Sequence, residues 1–304
     1  MGHRIIILFL VVVSVAGVRG QRPVTPRDRS VTLEKKHSDE ADAAMRNLRN
    51  LEVKKTREGD PVNANILAIY RRPSKEEIAE FAPSKELLDK YADLLKQPNT
   101  GIVKLNADER CAQNSEVVTA VEGCVDNKIP GGGTAYSFRF DSYRIPRLAD
   151  LSLIRDVLKT DGIWQQGIMV DLGDVGLDSL KPASDGVRYL AEYKPAADTN
   201  EMAKMDRRLI EGINVDGFLY RLGFYANENK TFALRSIAFQ GSYMRSLDGQ
   251  SYDEFRYDKR GDVLVAFRVI ERDNKGNVTI LWKQLAQHDA PSMKVAEQQS
   301  TPAK

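Results

Sequence analysis

The chain has 304 residues, 45 of them basic and 43 acidic, for a formal net charge of +2. So even a balance argues against a dedicated nucleic-acid binder, which carries a basic patch or stripe, and it gives no sign of a polyanionic partner. With two cysteines and three histidines the chain is also poor in the side chains that thiol, imidazole and zinc chemistry require.

The first residues, MGHRIIILFLVVVSVAGVRGQ, follow the pattern of a secretory signal: a basic start ending at Arg4, an apolar core from Ile5, then small residues offering cleavage after Ala16 or Gly20. The apolar core falls short of the roughly 20 residues a spanning helix needs. Residues 1–20 are therefore expected to be removed. The mature protein is expected to be exported, periplasmic or extracellular, and not integral to a membrane.

Residues 21–60 form a charge-dense lead whose apolar stripe (Met45, Leu48, Leu51) is thin, so it is expected to be flexible or only partly helical. A helical segment, 61–99, follows. Ser74 to Glu77 reads as a capping box behind Pro73, and Leu87, Leu88, Tyr91, Leu94 and Leu95 recur at helical spacing. Two helices are predicted, over 75–82 and 85–96, packing on the main domain.

Cys111 and Cys124 are expected to form one intramolecular disulfide, the default for two cysteines in an exported chain. Their spacing is not the Cys-x-x-Cys of redox-active pairs.

Residues 100–288 read as the globular domain. Alternating apolar and polar residues predict strands at 136–140, 167–170, 187–193, 218–224, 231–239, 262–272 and 278–285. Helical spacing predicts helices at 148–158 and 199–213. The fold class is α+β, with a mostly antiparallel sheet of about six or seven strands and a few packed helices. Residues 289–304 are expected to be a disordered tail. The best-specified element is the last hairpin, turned by Asp273-Asn-Lys-Gly-Asn277 with Gly276 at a positive-φ position. Pairing Asp273 with Asn277 would put Ile270 opposite Ile280 and Arg268 opposite Trp282. Apolar residues on both faces of both strands make this hairpin central or doubly covered.

No histidine falls in the interior of that domain: His3 leaves with the signal, His37 lies in the lead, and His288 lies past the last strand. Ser–His–Asp, Cys–His and histidine-rich metal sites are therefore unsupported, and the P-loop and dinucleotide fingerprints are absent. Gly131-Gly-Gly133 leads into a strand rather than a helix, which is not a phosphate cradle. No catalytic residue and no cofactor is assigned.

Carboxylates remain. Asp171, Asp174 and Asp178 crowd the end of an apolar strand and are the candidate metal or acid–base cluster. Their spacing of three and then four is not that of a helix–loop–helix calcium site, and the ordinary use of Asp and Gly in turns explains them better. A second candidate is a face of strand arginines, Arg139, Arg188, Arg221, Arg235 and Arg268, with solvated outer positions as the plainer reading. Within it, Arg268 over Trp282 is the candidate ligand-binding pair, or a cation–π contact without function.

The resulting expectation is an exported, non-enzymatic α+β domain with a binding or envelope-associated structural role, its ligand or protein partner unspecified and nucleic acid excluded. The alternative is a carboxylate-dependent hydrolase or calcium-stabilised domain using the aspartate cluster. Asn229-Lys-Thr and Asn277-Val-Thr are N-glycosylation acceptors if export runs through an endoplasmic reticulum.

Overall fold

The structure, a computed structural model, describes residues 64–108, 129–160 and 162–295. The signal segment, the lead, and the expected Cys111–Cys124 disulfide lie outside the described residues. No helix among the described residues is long and apolar enough to cross a membrane.

Four short helices precede the sheets. The first, α1 (Ala64–Tyr70), buries Ile66, Ile69 and Tyr70. The next, α2 (Lys75–Glu80), starts at Ser74 with the full capping box: the Ser74 hydroxyl accepts from the Glu77 amide while the Glu77 carboxylate accepts from the Ser74 amide. The predicted helix over 85–96 is broken at Tyr91 into α3 (Lys85–Lys90) and α4 (Ala92–Leu95).

The strands are β1 (Thr100–Leu105), β2 (Ala135–Ser137), β3 (Ser142–Tyr143), β4 (Leu151–Ile154), β5 (Val157–Lys159), β6 (Gln165–Gly173), β7 (Ile213–Val215), β8 (Phe218–Arg221), β9 (Gly223–Tyr225), β10 (Thr231–Ala238), β11 (Met244–Leu247), β12 (Gln250–Asp253), β13 (Gly261–Arg272) and β14 (Val278–His288). Between β6 and β7 lie α5 (Arg188–Glu192) and α6 (Thr199–Glu211). The fold is α+β and its strand pairings are antiparallel. A seven-stranded sheet runs β1-β14-β13-β10-β6-β8-β7, a five-stranded sheet runs β3-β2-β4-β5-β9, and β11 with β12 makes a separate hairpin.

Alternation along the long strands explains the layering. Phe232 and Leu234 of β10, with Val263, Val265 and Phe267 of β13, face the five-stranded sheet and pack on Phe138, Leu151, Leu153 and Leu158. Ala233, Leu264 and Ala266 face the other way, onto Leu190 of α5 and Met205 and Leu209 of α6. The seven-stranded sheet is thus covered on both faces, which is why its strands read as near-continuous apolar runs.

Three expectations fail for identifiable reasons. The predicted strand 187–193 is helix α5: Val187 and Leu190, both fully buried, share a helical face, and Tyr189 packs on Tyr220 with ring centres 4.5 Å apart and the rings inclined at 50°. The predicted helix 148–158 is the β4–β5 hairpin, turned at Arg155 (φ 54°), with Leu151 and Leu153 in the core between the sheets. Of the expected disordered tail, residues 289–295 pack on the domain, with Met293 buried and Lys294 bridging to Asp198 ahead of α6, and the rest lies outside the described residues.

The last hairpin turns as expected, with the Asp273 amide donating to the Asn277 carbonyl at 3.0 Å and Gly276 at φ 82°. Two residues on, a bulge between Val269 and Glu271 shifts the register by one. Arg268 then lies opposite Leu281, and Trp282 lies opposite Phe267.

Candidate functional site

That single-residue shift separates the predicted Arg268–Trp282 pair. A one-residue slip sends a side chain to the opposite face of a strand. Trp282 enters the core between the sheets, edge-on to Phe138 at 5.5 Å. Arg268 turns to the other face and donates to Asp174 at 2.7 Å and to the Thr231 hydroxyl at 3.0 Å. One member of each sequence-predicted site thus meets one member of the other.

The aspartates do not converge. Asp171 accepts from the amide of Gly173 at 2.7 Å, an Asx-turn that ends β6, and its second oxygen lies 3.7 Å from Lys230. Asp174, with a side chain 77% exposed, pairs with Arg268. Asp178 sits exposed in a 3-10 turn, Leu177–Ser179, that anchors through Leu177 and Leu180. Among the described residues no group of three or more His, Cys, Asp or Glu side chains is placed to hold a metal ion.

The concentration of buried charge lies elsewhere, between the two sheets and under α1. Arg139 was expected on an outer face, but the chain turns inward after β2 and encloses it. Its Nε donates to Asp150 at 2.6 Å, its Nη1 to Asp258 at 3.2 Å and to the Lys259 carbonyl, and its Nη2 to Gln165 at 2.9 Å. Burial pulls the Arg139 guanidinium down, but Asp150 and Asp258 outweigh it and hold its pKa above the ordinary value. Asp150 is fully buried and also accepts from the hydroxyls of Ser137 and Ser236 and from the Arg139 amide. Since Ser236 belongs to β10 and Ser137 to β2, this one carboxylate ties the five-stranded sheet to the seven-stranded sheet.

Asp258 shares an oxygen between Arg139 and Arg260, the latter at 3.0 Å. Arg260 stacks on Phe255 and donates to three backbone carbonyls. Burial and the neighbouring Arg139 push its pKa down to about 10. Arg144, 1% exposed, donates to the carbonyls of Tyr70 and Tyr257 and lies over Phe140 at 4.2 Å; Arg72 lies over the same ring at 4.4 Å. Burial, then the proximity of Arg139, lowers the Arg144 pKa against the pull of Asp258.

Glu254, fully buried at the end of the β11–β12 hairpin, is the anchor for α1. It accepts from the Tyr70 hydroxyl at 2.5 Å, from Arg147 twice at 2.7 and 2.8 Å, and distantly from Arg245. Burial and Glu254 both raise the Tyr70 pKa, so its hydroxyl stays a donor. Among the described residues Arg144 Nε, Glu254 Oε2 and Asp258 Oδ1 are buried without a hydrogen-bond partner.

The helix face of the central sheet holds a second buried pair. Arg235 grips Asp262 with two parallel bonds of 2.9 and 2.7 Å and uses Nη1 to cap the carbonyls of Leu190, Ala191 and Tyr193 at the end of α5. Nearby on α6, half-buried Asp206 accepts a long 3.5 Å bond from Gln166, whose oxygen accepts from Tyr193. Burial pushes Asp206 up to about 6.

The strand arginines therefore make no single surface. Arg139 and Arg235 lie on opposite faces of the central sheet, Arg268 at its margin, and Arg188 and Arg221 in solvent. Sequence reading missed Asp150, Glu254 and Asp258 because segments far apart in the chain supply them. One signal was present: Asp248-Gly249, both at positive φ, is the two-residue hairpin turn that makes β11–β12 and delivers Glu254. His288, the one histidine among the described residues, is exposed at the end of β14.

Comparison with known proteins returns no matching family model, no matching curated protein and no matching solved structure.

Proposed function

We propose that the chain is an exported, non-enzymatic α+β domain with a binding or envelope-associated structural role. The observation that carries this reading is how the interior charges are used. Arg139, Asp150, Asp258 and Arg260 bind one another and the backbone across the two sheets, and Arg235 with Asp262 does the same between sheet and helix. These groups are committed to holding layers together. The aspartates with the most solvent access, Asp174 and Asp178, sit on a turn instead of in a shared cleft. Export rests on the leader pattern at residues 1–20.

The test has two arms. The full chain is produced in a host with an export pathway, and the exported fraction is sequenced from its N-terminus. A chain beginning just after Ala16 or Gly20 supports export; an intact leader in the cytosol overturns it. The purified mature protein is then screened for turnover and for ligands by native mass spectrometry and thermal shift. A turnover that vanishes in Asp171→Asn or Asp174→Asn would replace this reading with the carboxylate-dependent one.

A further inference from the structure

Two Asn-x-Thr sequences lie in the described chain, Asn229-Lys-Thr231 and Asn277-Val-Thr279, and the fold treats them differently. Asn229 is exposed in the turn between β9 and β10, at φ 61°. Its backbone is fixed by its amide, which donates a hydrogen bond to the Val269 carbonyl, and its Oδ1 receives only a long 3.5 Å contact from Arg268. Its Nδ2 donates no hydrogen bond among the described residues. A group added there would project into water and disturb no interaction.

Asn277 is part of the turn it belongs to. Its Nδ2 donates to Asp273 at 2.9 Å, its Oδ1 accepts from the Ala107 amide at 3.0 Å, and its own amide donates to Asp273. The hairpin that this turn closes supplies two central strands. A sugar on that nitrogen would have to stand where Asp273 and the segment after β1 meet.

We propose that Asn229 is an N-glycan acceptor of this chain and that the folded, secreted protein carries no glycan at Asn277. The inference rests on the export reading above and adds a route through an endoplasmic reticulum. In the transfer, Nδ2 of Asn229 attacks the anomeric carbon of a polyprenyl-diphosphate-linked oligosaccharide. A C–N bond forms, the C–O bond to phosphate breaks, the lipid diphosphate departs, and one amide proton passes to a base of the transferase. The Thr231 hydroxyl is fully buried in the finished fold, donating to the Val175 carbonyl. Transfer therefore precedes the pairing of β10 with β6. Chains glycosylated at Asn277 cannot close the last hairpin and are kept out of the secreted pool.

The test is secretion of the full chain, with its own leader, from cultured animal cells, followed by intact mass and peptide mapping before and after peptide N-glycosidase in heavy-oxygen water. The expected result is a single glycan, with the isotopic label in the peptide containing residue 229 and none at 277. Asn229→Gln is expected to be secreted bare, with a slightly lowered melting midpoint because glutamine tolerates the positive φ less well than asparagine. A secreted wild-type protein without glycan overturns the proposal and leaves the export reading standing. Label at 277 overturns the discrimination between the two sites. A chain retained in the cytosol with its leader intact overturns both readings.

Discussion

The loop after β6 places Asp171, Asp174 and Asp178 within eight residues of one another and leaves them at the surface; the interior between the sheets draws Asp150, Glu254 and Asp258 from well-separated segments and fully buries the first two. The two regions have the same number of carboxylates and opposite energetics. In the loop Asp174 and Asp178 keep most of their water and Asp171 about a third of its exposure, so pairing with Lys230 or Arg268 is worth little. Between the sheets each acid has lost its water, and the guanidinium beside it is what makes burial tolerable. Local density of charge marks a turn here, while the acids that hold the architecture together are found only after the chain has folded.

The comparison is broken most directly at Asp150. Asp150→Ala leaves Arg139 buried without its principal counter-charge and is expected to cost about 3–5 kcal/mol, read from urea unfolding midpoints. An effect below about 1 kcal/mol would show that water reaches this site and that the contrast with the loop is false. Asp262→Ala removes the fork to Arg235 but leaves the three carbonyl contacts in place. It is expected to cost about 2–3 kcal/mol and to speed amide exchange across α5 more than across β4 and β5.

Asp206 sharpens the comparison through pH, since its carboxyl is half-buried with no counter-charge among its hydrogen-bond partners. Its folded pKa of about 6 lies above the ordinary 3.8. The stability linked to its protonation is therefore fully present below the ordinary value and is lost as pH rises through about 6. Asp206→Asn is expected to be about 1–2 kcal/mol more stable than the wild type at pH 7, the difference vanishing near pH 4. A pH-independent difference would rule out titration of this group. The smallest effect belongs to the loop: Arg268→Ala is expected to cost about 0.5–1 kcal/mol, with less cost at high salt.

Much of the fold was legible where chemistry is local. The Ser74–Glu77 capping box, the Asp273–Asn277 turn and α6 behind Asp198 are specified by residues a few positions apart. Errors arose where one pattern satisfies two periods. Val187, Tyr189 and Tyr193 suit a strand, yet Val187 and Leu190 suit the helix that the Arg235 cap completes. The bulge at Ile270 left no mark in the composition of β13, and it alone moved Trp282 into the core and Arg268 out to Asp174. The candidate site was legible least of all. Arg139 could be named from the sequence, but its partners at 150 and 258 are set by how the two sheets meet, which no short-range spacing encodes.

The order of the seven-stranded sheet has a consequence in time. Among the described residues its first strand to be synthesised, β1, pairs with its last, β14, and with no other strand. Until residue 283 has left the ribosome, the β1 pairing with residues 278–283 cannot be completed and the layer that both cores rest on is unfinished. Such long-range closure delays folding until the chain is nearly finished.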